Sequence, residues 1–171
     1  MSLISIPLSM LTPSPSPPYP NPPDNKSFMT LAGYIGVTKS PQNSANESIA
    51  MTAPVSKSGM DGDTQMMSFI LPASYTSISA VPAPTDPAVT VVELPPQYGA
   101  VHKFSGWVTD SQARSKLSSL LVHLNDDGVT IPVTECNWEL WQYNPPFTIP
   151  WCRRNEVFVE LTKEQAEGLG K

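Results

Sequence analysis

Apolar residues recur at helical spacing in two parts of this chain. In the first, Phe28, Leu31, Tyr34 and Ile35 are three or four positions apart, and Gly36 follows them. This spacing places all four side chains on one face of a helix, and glycine commonly follows the last helical residue. The pattern therefore predicts a short amphipathic helix that ends at Gly36.

The second helical pattern is longer and begins at Asp110, which we interpret as its cap. Polar and charged residues occupy the remaining positions, and the turn residues 125–128 end the helix. The apolar stripe of this helix consists of Ala113, Leu117, Leu120, Leu121 and Leu124. A stripe of this width is typical of a helix that packs one face on a core.

Short apolar runs bounded by proline and glycine are typical of β-strands. We predict strands over residues 49–55, 66–71, 89–94, 98–104, 131–143 and 156–161. The resulting order is helix–strand–strand, then strand–strand–helix–strand–strand. It resembles an internal duplication whose first copy lacks its opening strands. Helices on one side of an antiparallel sheet give the α+β class.

The first 27 residues have a different composition from the rest of the chain. They contain eight of its 20 prolines, and no charged residue precedes Asp24. Proline lacks the backbone N–H group that helices and central strands require. We therefore predict a disordered proline-rich tail over 1–27, an ordered domain over 28–165, and a polar tail over 166–171.

Charge and composition exclude several kinds of partner. The formal net charge is −5, from 15 acidic and 10 basic residues, which argues against a nucleic-acid partner. The chain contains no run of 18 consecutive apolar residues, so the sequence does not predict a membrane span. The apolar opening segment carries no basic residue and is a poor secretory signal. Cys136 and Cys152 are interpreted as reduced thiols, so we predict a cytoplasmic protein, with an organelle not excluded.

Four segments resemble the SOUL/heme-binding protein family, and they occur in the family's order between residues 28 and 161. They are IAMTAPV at 49–55, MSFILP at 67–72, FSG at 104–106 and YNPPFTIPWCRRNEV at 143–157. The last segment is long and chemically unusual, so a chance match is very improbable. The resemblance implies a distorted antiparallel β-barrel of two similar halves with two outer helices. It also implies a shallow hydrophobic site that holds heme or another porphyrin.

The chain departs from the family pattern before its first helix. The family has two further strands there, whereas this chain has its proline-rich segment. We therefore expect the first half of the barrel to lack its opening strands, with an open edge near the strands of Met51 and Phe69. Another copy of the chain could cover such an edge and give a homodimer, or the tail itself could cover it.

The candidate heme-iron ligand is His102, because strand alternation places it on the same face as Ala100 and Phe104. The alternative is a partly buried histidine that is hydrogen-bonded in the sheet. His123 lies beside the apolar stripe of its helix and is expected to be solvated.

Other candidates suit a flat apolar ligand that carries carboxylates. Met51 and Met66 offer flexible thioethers, although core packing is the alternative role. Arg153 and Arg154 are candidates to pair with heme propionates, although they could instead fix the neighbouring turn. The predicted ligand-binding residues are Phe28, Leu31, Ile35, Met51, Met66, His102, Phe104, Arg153 and Arg154.

Two further functions remain open at the level of the sequence. The first is an enzyme that acts on a small hydrophobic molecule, with Glu139 or Glu156 as a carboxylate acid or base. No Ser-His-Asp or Cys-His arrangement can be identified to support it. The second is a partner-binding protein that uses the proline-rich tail and the open edge of the barrel. Heme binding or heme carriage is the principal prediction.

Overall fold

The computed structural model describes residues 8–13, 23–38, 40–60 and 65–169, which form two compact units. Among the described residues, the N-terminal unit comprises those up to 95 and the C-terminal unit comprises 96–169. The N-terminal unit contains β1 (Leu8–Pro13), α1 (Pro23–Ile35), β2 (Val55–Ser58), β3 (Met66–Ile70) and β4 (Val89–Leu94). The C-terminal unit contains β5 (Tyr98–Phe104), α2 (Asp110–Asp126), β6 (Trp138–Gln142), β7 (Asn155–Leu161) and α3 (Lys163–Gly168).

The strands of the N-terminal unit pair in the order β4-β1-β3-β2, and each pair is antiparallel. Met10 lies opposite Ile70 on one side and opposite Val92 on the other. The α+β class and the antiparallel pairing are therefore confirmed. Closure into a barrel remains a prediction.

Strand β1 corrects the prediction that residues 1–27 form an irregular tail and that the first half lacks its opening strands. It lies between β3 and β4 and pairs with both. Residues 8–12 form a proline-free interval between Pro7 and Pro13, so each of them keeps a backbone N–H for the sheet. The overall proline content of the segment concealed this interval.

Two related predictions are also corrected. The edge at the strand of Phe69 was expected to be open, or to be covered by another copy or irregularly by the proline-rich segment. In the structure β3 has β1 on one side and β2 on the other, so part of that segment covers it as a regular strand. Helix α1 begins at Pro23, inside the predicted tail, because proline has a backbone angle suited to the first turn of a helix. The polar residues 166–168 belong to α3 rather than to a tail, and residues 170–171 lie outside the described residues.

The core of the N-terminal unit forms where α1 packs on the sheet, as the helical spacing predicted. Tyr34 is buried, and its hydroxyl donates a hydrogen bond to the Pro82 carbonyl oxygen at 2.6 Å. Gly36 ends the helix with φ +83°, and a Cβ atom there would lie only 2.6 Å from Pro41 Cγ. The buried core residues are Leu31, Tyr34, Ile35, Ile49, Met67, Phe69, Leu71 and Val89.

Two predicted strands are shorter in the structure. The run over 49–55 enters the sheet only at Val55, because Pro54 has no N–H group to donate to a neighbouring strand. Its first residue, Ile49, is nevertheless buried and donates its N–H to the Ile35 carbonyl oxygen at 3.0 Å. The run over 131–143 forms β6 only from Trp138 onwards.

In the C-terminal unit, β7 pairs with β5 on one side and with β6 on the other. Helix α2 contacts β5 and β7, and all five residues of its predicted stripe are buried. Its cap is Thr109 rather than Asp110. Gln112 N–H donates to Thr109 Oγ1 at 3.3 Å, while Thr109 N–H donates to Gln112 Oε1 at 2.9 Å. This reciprocal pair is a capping box.

None of the helices in the described ranges combines the length and the apolarity that a membrane crossing requires.

Candidate functional site

His102 lies on the face of β5 that the sequence alternation predicted. Ala100 is buried and His102 and Phe104 are half-buried, whereas Val101 and Lys103 between them are exposed. The His102 and Phe104 ring centroids are 6.4 Å apart. The strand therefore directs one imidazole and one phenyl ring to the same face.

Helix α2 places two further side chains beside this face. The His123 ring centroid is 6.5 Å from that of His102, and Lys116 Nζ lies 5.7 Å from the Phe104 ring centroid. His123 is exposed, as predicted, but its proximity to His102 was not. Burial lowers the pKa of His102 below its ordinary value of 6.5, and the charges of Lys116 and His123 lower it further. His102 therefore favours its neutral form.

Arg153 is buried, and it holds the turn that precedes it. Its Nε donates to the Thr148 carbonyl oxygen at 3.0 Å, and Nη2 donates to the carbonyl oxygens of Pro145, at 3.1 Å, and Pro146. The guanidinium carbon also lies 3.9 Å from the centroid of the Trp107 ring. These contacts are those of a residue that fixes the turn, the alternative role that the sequence allowed.

Arg154 is about half-exposed and belongs to a separate network. Its Nη2 lies 2.6 Å from Glu156 Oε1, and its guanidinium carbon lies 4.2 Å from the Tyr143 ring centroid. The Tyr143 hydroxyl donates to Glu156 Oε2 at 2.7 Å. Burial raises the pKa of Tyr143, and its hydrogen bond to Glu156 adds to that shift. Both oxygens of the buried Glu156 carboxylate are thus engaged by protein donors.

Glu139, the other candidate acid or base, lies half-buried on β6. Its Oε2 accepts a hydrogen bond from Trp141 Nε1 at 2.7 Å. The Trp141 ring stacks on Phe158, with centroids 4.6 Å apart and ring planes within 10° of parallel. Across the described residues, no group of three or more His, Cys, Asp or Glu side chains is arranged to hold a metal ion.

Four large apolar side chains of the C-terminal unit are directed into solvent. Trp107 is 58% exposed, Phe147 86%, Ile149 49% and Trp151 75%. A hydrogen bond joins the two loops that carry them: Gly106 N–H donates to the Pro150 carbonyl oxygen at 2.9 Å. We call these four residues, three aromatic and one aliphatic, the aromatic surface.

The aromatic surface was not predicted, although three of its residues lie in the longest family-like segment. A loop has no fixed side-chain period, so the sequence does not show which way its residues point. The available signal was the spacing of Pro145, Pro146 and Pro150, which prevents a central strand and so keeps the residues between them out of a sheet.

The remaining candidates lie in the N-terminal unit. Leu31 and Ile35 are buried core residues, and Phe28 packs edge-to-face against Phe69 with ring centroids 5.4 Å apart. Met66 is half-buried on β3, and Met51 is 42% exposed. Three of the five therefore contribute to the packing of α1 on its sheet.

Comparison with known proteins gives a family and a fold. The family model described as SOUL heme-binding protein matches residues 12–160. No curated protein matches the chain. An uncharacterized conserved protein from Listeria innocua has a similar structure, with a TM-score of 0.56 and 11% identity over 91% of this chain and 89% of that one. A hydrolase from Listeria innocua gives a TM-score of 0.49 and 12% identity over 91% and 88%.

Proposed function

The chain belongs to the SOUL heme-binding protein family, and from this premise we propose that it binds heme or a related tetrapyrrole on the aromatic surface of its C-terminal unit. The observation that supports this location is the exposure of Trp107, Phe147, Ile149 and Trp151 on two loops that are hydrogen-bonded together. Large apolar patches on a protein surface commonly mark a binding site. Flat aromatic rings also suit a flat, apolar ligand.

Arg154 follows Trp151 by three positions in the chain, and its guanidinium suits the carboxylates of the ligand. The Arg154 side chain is 47% exposed, although it also pairs with Glu156. A guanidinium has five N–H donors, so an arginine with one carboxylate partner keeps donors for a second. Arg153 has a supporting role here, since it fixes the turn that carries Phe147.

The expected affinity is modest. Burial of roughly 400 Å² of apolar porphyrin surface contributes about 10 kcal/mol at ~25 cal/mol per Å². Association costs at least ~4 kcal/mol of this. The remaining ~6 kcal/mol corresponds to a dissociation constant of tens of micromolar without an iron–protein bond. Such reversible binding suits the carriage or buffering of a ligand.

His102 is the alternative anchor, as an axial ligand of heme iron. Its half-buried, neutral imidazole beside Phe104 supports this role.

The family resemblance also implies a barrel of two similar halves. The finding that supports similar halves is that each unit contains an antiparallel sheet with a helix packed on it.

Titrations with hemin and with metal-free protoporphyrin test the proposal and separate the two anchors. Binding on the aromatic surface should quench tryptophan fluorescence with both compounds. Phe147→Ala and Trp151→Ala should each weaken the binding of both compounds. Val133→Ala is the matched control, because Val133 is 61% exposed and lies outside that surface. A Soret shift with hemin that His102→Ala abolishes would place the iron at His102 instead. The absence of saturable binding of either compound would contradict tetrapyrrole binding altogether.

A further inference from the structure

The fold brings the chain's only two histidines together, although they are 21 positions apart, at 102 and 123. Their ring centroids are 6.5 Å apart, and their ring planes meet at 47°. His102 is held on β5, where it pairs with Val157 of β7, and His123 is on α2, whose apolar stripe is buried. Both backbones are thus fixed by regular structure, which is the arrangement that favours a preorganised site.

The separation is close to that of two imidazoles which share one metal ion. With a metal–nitrogen bond of roughly 2 Å on each side, two ring centroids lie at most about 6.5 Å apart, and closer at a tetrahedral angle. The exposed His123 side chain has room to rotate toward His102. The distance between the rings therefore allows one nitrogen of each to reach a common metal ion.

We propose that His102 and His123 together bind one divalent transition-metal ion, with Cu²⁺ preferred over Zn²⁺. Imidazole nitrogen suits both ions, and the affinity of a given nitrogen site for divalent metals is highest for Cu²⁺. The remaining coordination positions are filled by water, because no third histidine, cysteine or carboxylate among the described residues completes the group.

The proposed ligand atoms are imidazole nitrogens, so metal binding should depend on pH. A metal binds the neutral imidazole, so binding competes with protonation. Metal affinity should therefore fall as the solution is acidified.

Lys116 opposes the site, because its positive charge already acts on His102. A metal cation at the same place meets the same repulsion. The lysine therefore provides a test by gain of affinity, since its removal should strengthen metal binding.

The first experiment uses Cu²⁺ alone with the tag-free full chain, carrying Cys152→Ser to remove the exposed thiol. The NMR spectrum contains imidazole signals from two histidines only, which makes them direct reporters. Substoichiometric Cu²⁺ should broaden both signals, and electron paramagnetic resonance should show coupling to two imidazole nitrogens. Because an ion bound to one ring would also broaden the signals of the other, 6.5 Å away, the number of coupled nitrogens decides the test. Coupling to a single imidazole nitrogen would overturn the proposal.

The second experiment compares variants by calorimetric titration with Cu²⁺. His102→Gln and His123→Ala should each weaken binding by about tenfold or more, because even changes to the outer partners of metal ligands have effects of that size. Lys116→Gln should tighten it about two- to fivefold. Lys103→Gln, on the exposed face of β5, is the matched control and should change nothing. Equal affinity in the parent and in either histidine variant would overturn the proposal, whatever the outcome with porphyrins.

Discussion

Replacement of Arg153 distinguishes a residue that fixes a turn from one that binds the ligand directly. The informative pair is Arg153→Lys and Arg153→Met, because lysine keeps the charge but loses the planar fork. In the structure that fork donates to three carbonyl oxygens, of Pro145, Pro146 and Thr148. We expect both variants to be destabilised by similar amounts, because the geometry of the donors matters more than the charge.

The magnitude follows from the contacts. A hydrogen bond to a charged group contributes about 1.5–3 kcal/mol, so three would contribute several kcal/mol if all stayed unsatisfied. Pro145 and Pro146 are exposed, so water can replace the guanidinium at their carbonyl groups, and the net loss should be nearer to that of the one bond to Thr148. The lost contact with the Trp107 ring adds about 0.5–1 kcal/mol. We therefore expect the free energy of unfolding to fall by about 2–4 kcal/mol.

Urea denaturation followed by tryptophan fluorescence measures this loss. With a denaturant slope of about 2 kcal/mol per molar urea, the midpoint should fall by about 1–2 M in both variants. The matched control is Lys103→Met, on the exposed face of β5, which should have a smaller effect. The reasoning is refuted if Arg153→Lys is as stable as the parent protein, or if Arg153→Met loses porphyrin affinity with no loss of stability.

Three further outcomes are expected. Leu120→Ala should lower the free energy of unfolding by about 2–5 kcal/mol, because Leu120 is buried. Val122 is 59% exposed, so Val122→Ala should change that free energy by less than about 0.5 kcal/mol. Equal effects in urea denaturation would mean that the apolar stripe of α2 does not pack on a core. A chain that starts at Asp24 lacks β1, so β3 and β4 each lose a partner strand. Thermal unfolding should show that this chain is less stable than the full chain, and light scattering should show that it associates more readily. Equal behaviour of the two chains would argue against both β1 and a homodimer through that edge. NMR titration should place the pKa of His102 below 6.5, and Lys116→Gln should raise that pKa. Because the pKa is lower in the folded than in the unfolded protein, protonation of His102 should favour unfolding as the pH falls through 6.5. An unshifted pKa would contradict the burial of His102.

Helices and strands whose apolar residues recur at a regular spacing were predictable from the sequence. A strand formed by a short proline-free interval was not. The stripe of α2 was identified residue by residue, because burial of one helical face imposes a spacing that the sequence records. The alternation of β5 likewise placed His102 on the correct face. Strand β1 was missed because the proline content of its surroundings outweighed a proline-free interval of five residues, 8–12.

The candidate sites were harder to predict, since they depend on tertiary structure. The exposure of Phe147 and Trp151 follows from the path of an irregular loop, which carries no side-chain period. The pairing of His102 with His123 requires a helix to fold back on a strand, and sequence separation alone gives no sign of it. The role of Arg153 was left open in the sequence, and it depends on carbonyl groups that only the folded turn gathers.

The position of β7 in its sheet has a consequence for synthesis on the ribosome. Strands β5 and β6 both pair with β7, which follows them in the chain. At about 5–20 residues per second, several seconds separate the emergence of β5 from that of β7. During that time the apolar stripe of α2 has no complete sheet to cover it. The nascent C-terminal unit should therefore be a substrate for chaperones that shield apolar surface until residues 155–161 arrive.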